Sequence, residues 1–147
     1  MTALPVSLAD ITAAATRIAP HIRQTPIMAD PDLPGLFLKG EYLQDTGAFK
    51  LRGATNALLS MPESARGNGI VTASTGNHGR AVAHAARQVG TKAVVCLSKL
   101  VPANKVQAIR DLGAEVRIVG ASQNDAMVEV ARAVREDGMT EIPPRSE

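Results

Sequence analysis

The segment Ile70-Val71-Thr72-Ala73-Ser74-Thr75-Gly76-Asn77-His78-Gly79 runs from a short β-rich stretch, through a polar turn with glycine, into a helical pattern. From Asn77 to Val89 the residues Val82, Ala85, Ala86 and Val89 fall on one side, the spacing of a buried helix face. The same rhythm continues toward the C-terminus. Ala93-Val94-Val95-Cys96-Leu97 is an apolar run expected as a strand buried on both faces. Ala103 to Leu112 reads as a helix with Val106 and Ile109 inward, and Gly113 ends it. Glu115 to Val119 is another strand. Asn124 to Glu136 places Met127, Val130, Ala131 and Val134 at i, i+3, i+4 and i+7, and Gly138 closes that helix. Strands alternating with helices across short joints mean βαβ units and a parallel sheet. The class is α/β.

Toward the N-terminus the rhythm is lost. Ser7 can cap a helix that runs to about Ala19, with Asp10 three residues on and Leu8, Ile11, Ala15 and Ile18 on one face. Thr25 to Gly35 is broken by Pro26, Pro31, Pro34 and Gly35, so it reads as turns. Leu36 to Lys39 reads as a short strand. After the polar loop Gln44-Asp45-Thr46-Gly47, a helix carries Leu51, Ala54, Leu58 and Met61, and Pro62 closes it. Residues 1–68 are therefore expected to belong to a different domain or layer from residues 69–144.

Composition removes several functions. Lys plus Arg is 16 and Asp plus Glu is 14, so the net charge is +2 over 147 residues, too little for a nucleic-acid footprint. With Trp 0, Tyr 1 and Phe 2 there is little to stack on bases. No apolar run spans a bilayer and no signal pattern precedes the first helix, so the expected location is cytoplasmic, with no membrane partner. The single Cys96 excludes an internal disulfide and a multi-cysteine zinc site, and no metal site is expected. No G-x-G-x-x-G follows a strand and no G-x-x-x-x-G-K-[ST] occurs, which disfavours nucleotide binding.

Two places remain for chemistry. In open α/β sheets ligands bind beyond the carboxyl ends of strands. Ser74 to Gly79 lies at such an end, where unpaired N–H groups at a helix start favour an anion and Ser74 and Thr75 add hydroxyls. The competing reading makes Ser74 a simple helix cap. The second place is Lys50, in the first turn of its helix. A lysine there meets the positive end of the helix dipole, and if it is also buried its amine becomes a nucleophile. A solvated surface lysine is the alternative. Arg52 either pairs with a carboxylate or lies in water. His84, opposite Val82 and Val89 with Arg80 and Arg87, is expected in solvent, and Cys96 is expected to be an inert buried thiol.

The combination is more specific than either place. Leu38-Lys39-Gly40-Glu41-Tyr42-Leu43-Gln44-Asp45-Thr46-Gly47-Ala48-Phe49-Lys50-Leu51-Arg52-Gly53-Ala54 closely resembles the lysine motif of the serine/threonine dehydratase family. Those are pyridoxal-phosphate enzymes of the tryptophan-synthase-β-like fold (fold type II), a family that also holds serine racemases. Ser74-Thr75-Gly76-Asn77-His78-Gly79 resembles its substrate-carboxylate loop, and Val101 to Lys105 with Ile109 to Val116 resembles the segment that follows. The resemblance runs from the first helix to Pro144. Within the family the sequence is most similar to threonine dehydratases, of the branch linked to hydroxyectoine utilisation.

The resemblance implies a pyridoxal 5'-phosphate cofactor and an amino-acid substrate. It gives the catalytic roles to Lys50 and Thr75. Lys50 would form the Schiff base, Phe49 would lie against the cofactor ring, and Asn77 would bond to the ring hydroxyl. Ser74, Thr75, Gly76, Asn77 and His78 would hold the substrate. The implied reaction is β-elimination of threonine or serine to a 2-oxo acid and ammonia. An amino-acid racemase is the alternative within the family, and a non-catalytic small-anion-binding module the alternative outside it. Thr75 stands where serine racemases place a serine, and a threonine hydroxyl is a poor acid, which favours elimination. The family's glycine-rich phosphate cup has no counterpart here, and Arg145-Ser146-Glu147 does not resemble the family's continuation. The chain thus reads as an N-terminal fragment of the large domain plus a small α/β domain, with an atypical end at 145–147. On that reading its activity is absent or impaired, and self-association is expected of full-length relatives.

Overall fold

The computed structural model describes residues 6–74 and 76–144. Ser7 and Asp10 form a reciprocal capping box that starts α1 (Leu8–Ile18), and a 3-10 turn, Ala19–His21, follows it. The turn-rich stretch then contains a strand that the prolines hide. β1 (Ile27–Ala29) pairs antiparallel with β2 (Phe37–Lys39), Met28 opposite Leu38. A second 3-10 turn, Glu41–Leu43, leads through the polar loop to α2 (Lys50–Ser60) and the short α3 (Glu63–Arg66).

The regular block follows its sequence pattern. It comprises β3 (Ile70–Ala73), α4 (Asn77–Gln88), β4 (Ala93–Leu97), α5 (Ala103–Arg110), β5 (Glu115–Ile118) and α6 (Gln123–Glu136). A two-residue β6 (Thr140–Glu141), absent from the sequence reading, adds to the free edge of β3. The sheet order is β5-β4-β3-β6 and every pairing is parallel.

Strand alternation splits the core in two. Ile70, Val95 and Leu97 face α4 and α5, packing with Val82, Val106 and Ile109. Val71, Ala73, Val94 and Cys96 face α6, against Ala126, Val130 and Ala133. β4 is buried along its whole length, as its unbroken apolar run requires. α2 joins the first cluster through Leu51, Ala54 and Leu58, so the block and the helix that carries Lys50 share one core. Each fully buried leucine contributes about 1.5–3 kcal/mol by leaving water. That shared core holds the lysine helix beside α4. No helix among the described residues is long and apolar enough to cross a membrane.

Candidate active site

Lys50 is the first residue of α2. The position before it belongs to Phe49 in helical conformation, and among the described residues no side chain caps the helix. Lys50 is half-buried and its Nζ donates to the Pro144 carbonyl at 3.0 Å. The Phe49 ring is 62% exposed, with the Lys50 ammonium 5.7 Å from its centroid.

The turn after β3 brings the second group. α4 starts at Asn77 with Gly76 before it and no side-chain cap. Gly76, not Ser74, is the cap residue of α4, and among the described residues the Ser74 Oγ accepts a long 3.4 Å bond from the Gly76 N–H. Among the described residues no side chain caps the first N–H groups of the helix, the condition for an anion site. Gly79 has a packing reason: a Cβ there would lie 2.5 Å from the Ser74 carbonyl oxygen. Only glycine lets α4 come this close to the turn. Asn77 is exposed and His78 is buried. Thr75 lies outside the described residues.

Lys50 and His78 meet in one cavity of about 510 Å³, lined also by Gly53, Ala54, Ala57 and the segment Ile142–Pro144. The His78 Nε2 faces the Ile142 carbonyl at 3.1 Å. A carbonyl only accepts, so Nε2 carries the proton and donates it. Burial holds the His78 pKa below the ordinary imidazole range, the nearby Lys50 charge pushes the same way, and the bond to Ile142 opposes them. The ring is thus a neutral donor to the backbone. What His78 offers an anion at the start of α4 is its own N–H.

Segment 142–144 is held in place from the sheet edge. The Ile142 N–H donates to the Val71 carbonyl at 2.9 Å, and the Ile142 side chain is buried. The sequence carries only a faint signal of this, apolar Met139 and Ile142 after the helix-ending Gly138.

Other polar groups near Lys50 are organised in ways that spacing does not show. Arg52 pairs with Glu41 through two bonds, Nε to Oε2 at 2.9 Å and Nη2 to Oε1 at 2.7 Å. The Thr25 hydroxyl donates to the same Oε1 at 2.6 Å. Gln44 clamps the Arg23 backbone, accepting from its N–H and donating to its carbonyl at 2.7 Å. His84 is not in solvent. The Asp45 loop covers it, with Nε2 buried, lacking a hydrogen-bond partner among the described residues and 4.0 Å from the Asp45 carboxylate. Cys96 is buried as expected, and burial with the Glu129 charge pushes its thiol up to about 11.

A model of the pyridoxal-phosphate dependent enzyme family matches residues 18–146. The chain belongs to that family. A Sinorhizobium fredii protein with the provisional name threonine dehydratase is 53% identical, over 95% of this chain and 43% of its own length. A catabolic L-threonine dehydratase of Staphylococcus aureus is 36% identical, over 97% of this chain and 43% of its own. Maize serine racemase superposes with a TM-score of 0.91 at 32% identity, over 98% of this chain and 45% of that one. The α/β fold is that of the fold type II enzymes, and the chain spans under half the length of these relatives.

The residues present fit the aldehyde end of such a cofactor. An amine lines a cavity and an exposed aromatic ring flanks it. Gly53 lines the same cavity, and a Cβ on it would meet nothing within 4 Å. A glycine inside a helix costs about 0.5–1 kcal/mol relative to alanine. Packing in this structure does not require it, which fits a ligand lying close to the α2 backbone.

Proposed function

We propose that this chain is the N-terminal part of a pyridoxal-phosphate-dependent ammonia-lyase. Its reaction is β-elimination of threonine or serine to a 2-oxo acid and ammonia. The observation that carries the reading is the meeting of Lys50 and the start of α4 in one cavity. The dehydratase names of the relatives at 53% and 36% identity support elimination.

In this reading Lys50 Nζ would hold the cofactor and, once the substrate amine has taken its place, would be the free amine that accepts the α-proton of the substrate. The cofactor, when bound, supplies the electron sink for the charge left on that carbon. Phe49 would cover one side of the ring, and the Asn77 amide would bond to the ring hydroxyl. Ser74, Thr75 and the backbone N–H groups of Gly76, Asn77 and His78 hold the substrate carboxylate. His78 keeps its ring on Ile142 and so fixes the first turn of α4 to the segment that also touches Lys50. Residues 1–68 belong to the large domain and residues 69–144 to the small one, with α2 packed across the joint. The enzyme is cytoplasmic and self-associating.

A racemase is the second reading, favoured by the 0.91 superposition on maize serine racemase. Incubation with pyridoxal phosphate, borohydride reduction and peptide mapping tests the shared core of both. The expected result is a reduced adduct on Lys50 in excess of those on the other lysines. No adduct at saturating cofactor leaves the non-catalytic anion-binding module. Assay of the full-length protein with threonine and serine, for keto-acid formation against enantiomer exchange, then separates lyase from racemase.

A further inference from the structure

The loop that delivers Lys50 is held by two polar clamps, and one of them grips the lysine's own helix. Arg52 follows Lys50 by two residues in the uncapped first turn of α2. Two cations in such a turn oppose the helix dipole, and no acidic residue lies in it. The compensating charge comes from outside the helix. Glu41 opens the 3-10 turn before the loop and takes the Arg52 guanidinium on both carboxylate oxygens. This fork fixes direction as well as distance. Thr25, itself buried, ties the same carboxylate to the chain ahead of β1. Both carboxylate oxygens are engaged, and the two side chains are largely withdrawn from solvent, at 33% and 17% exposure. Among the described residues the Lys50 amine makes its one hydrogen bond to a backbone carbonyl. Its placement therefore depends on how the first turn of α2 is set.

We infer that the Thr25–Glu41–Arg52 triad is a positioning device that aims Lys50 at the cavity it shares with His78. The inference rests on the reading of Lys50 as the cofactor lysine. Glu41 holds Arg52, Arg52 holds the first turn of α2, and that turn sets the Lys50 side chain. Glu41 and Arg52 touch neither cofactor nor substrate in this scheme.

The test uses the full 147-residue chain. It is treated with pyridoxal phosphate, reduced with borohydride, and the adduct on Lys50 is divided by that on Lys39, Lys92, Lys99 and Lys105. Glu41→Gln keeps shape and removes the charge; Thr25→Val removes one hydroxyl and leaves the ion pair. In Glu41→Gln the Lys50 share is expected to fall about tenfold, the scale of one lost charge-assisted hydrogen bond. The fall in Thr25→Val is smaller. Circular dichroism and labelling of Lys92 and Lys105 stay as in the wild type, which a purely structural staple would not leave untouched. An unchanged Lys50 share in both folded variants overturns the positioning role alone. Loss of fold in both variants overturns it in favour of a structural staple. A wild-type chain with no preference for Lys50 overturns the cofactor reading itself.

Discussion

Residues 6–49 and residues 69–144 are built on different principles. The later block buries its apolar residues on both sides of a parallel sheet, and each helix brings a matching stripe. The earlier segment leaves Leu8, Ile11, Ile27, Phe37, Tyr42 and Phe49 exposed, Leu8 at 78%. Among the described residues the two apolar clusters begin at Leu51, and of residues 6–49 only Ile22 packs against them. Hydrogen bonds shape the earlier segment instead: the Ser7–Asp10 capping box, Gln44 on the Arg23 backbone, and the Glu41–Arg52 pair. A core resists solvent by area; clamps of this kind fix geometry with much less stabilisation. α2 is where the two meet, and it carries Lys50.

The strongest way to break the contrast is to damage the shared core. Leu58 is fully buried on α2. Leu58→Ala is expected to cost about 2–5 kcal/mol through lost transfer energy and a cavity. Denaturant unfolding followed by circular dichroism measures it. If α2 belonged with residues 6–49 and only leaned on the block, the loss would be far smaller, and the block would unfold at an unchanged midpoint.

The contrast between pattern and tertiary contact also explains what the sequence shows and what it hides. The βαβ block is legible because periodicity is a local property: Val82, Ala86 and Val130 announce their faces without reference to any distant residue. Lys50 at a helix start is legible for the same reason, since Thr46-Gly47 breaks the chain just before the periodic run. β1 is hidden because three exposed residues after Pro26 have no alternation to read. β6 is hidden because two residues make no pattern, and only its partner β3 defines it. His84 is misjudged because its helix face is polar, while the loop that covers it comes from residues far earlier in the chain. The Thr25–Glu41–Arg52 triad and the Lys50–His78 cavity depend on folding, and spacing alone does not contain them. The lysine motif and the Ser74–Gly79 motif, read together, carry the family before any contact is known.

Two glycines sharpen the comparison with the same substitution. At Gly79 a Cβ would strike the Ser74 carbonyl oxygen, so Gly79→Ala is expected to destabilise by about 1–3 kcal/mol. At Gly53 a Cβ would meet nothing within 4 Å, so Gly53→Ala is expected to stabilise by about 0.5–1 kcal/mol. Thermal unfolding of the two variants should show shifts of opposite sign. Borohydride trapping should show less adduct on Lys50 in the more stable Gly53→Ala chain, because the methyl intrudes on the cavity lined by both residues. A stabilised variant with undiminished trapping would mean that nothing lies against α2 at that point.

The smallest stability effect is expected on the β1–β2 hairpin. Phe37 is 65% exposed and Ile27, in the facing strand, 66%. Phe37→Lys removes apolar surface that the fold never buried, so the unfolding midpoint should move by less than about 0.5 kcal/mol. Its effect should appear in solution behaviour instead. A contiguous exposed apolar hairpin favours association, and a charge on a strand edge opposes it. Analytical ultracentrifugation over a concentration series should show weaker self-association for the variant than for the parent chain. A loss of several kcal/mol instead would mean that the hairpin packs as part of the core, and the division between a clamped segment and a buried block would fail at its clearest point.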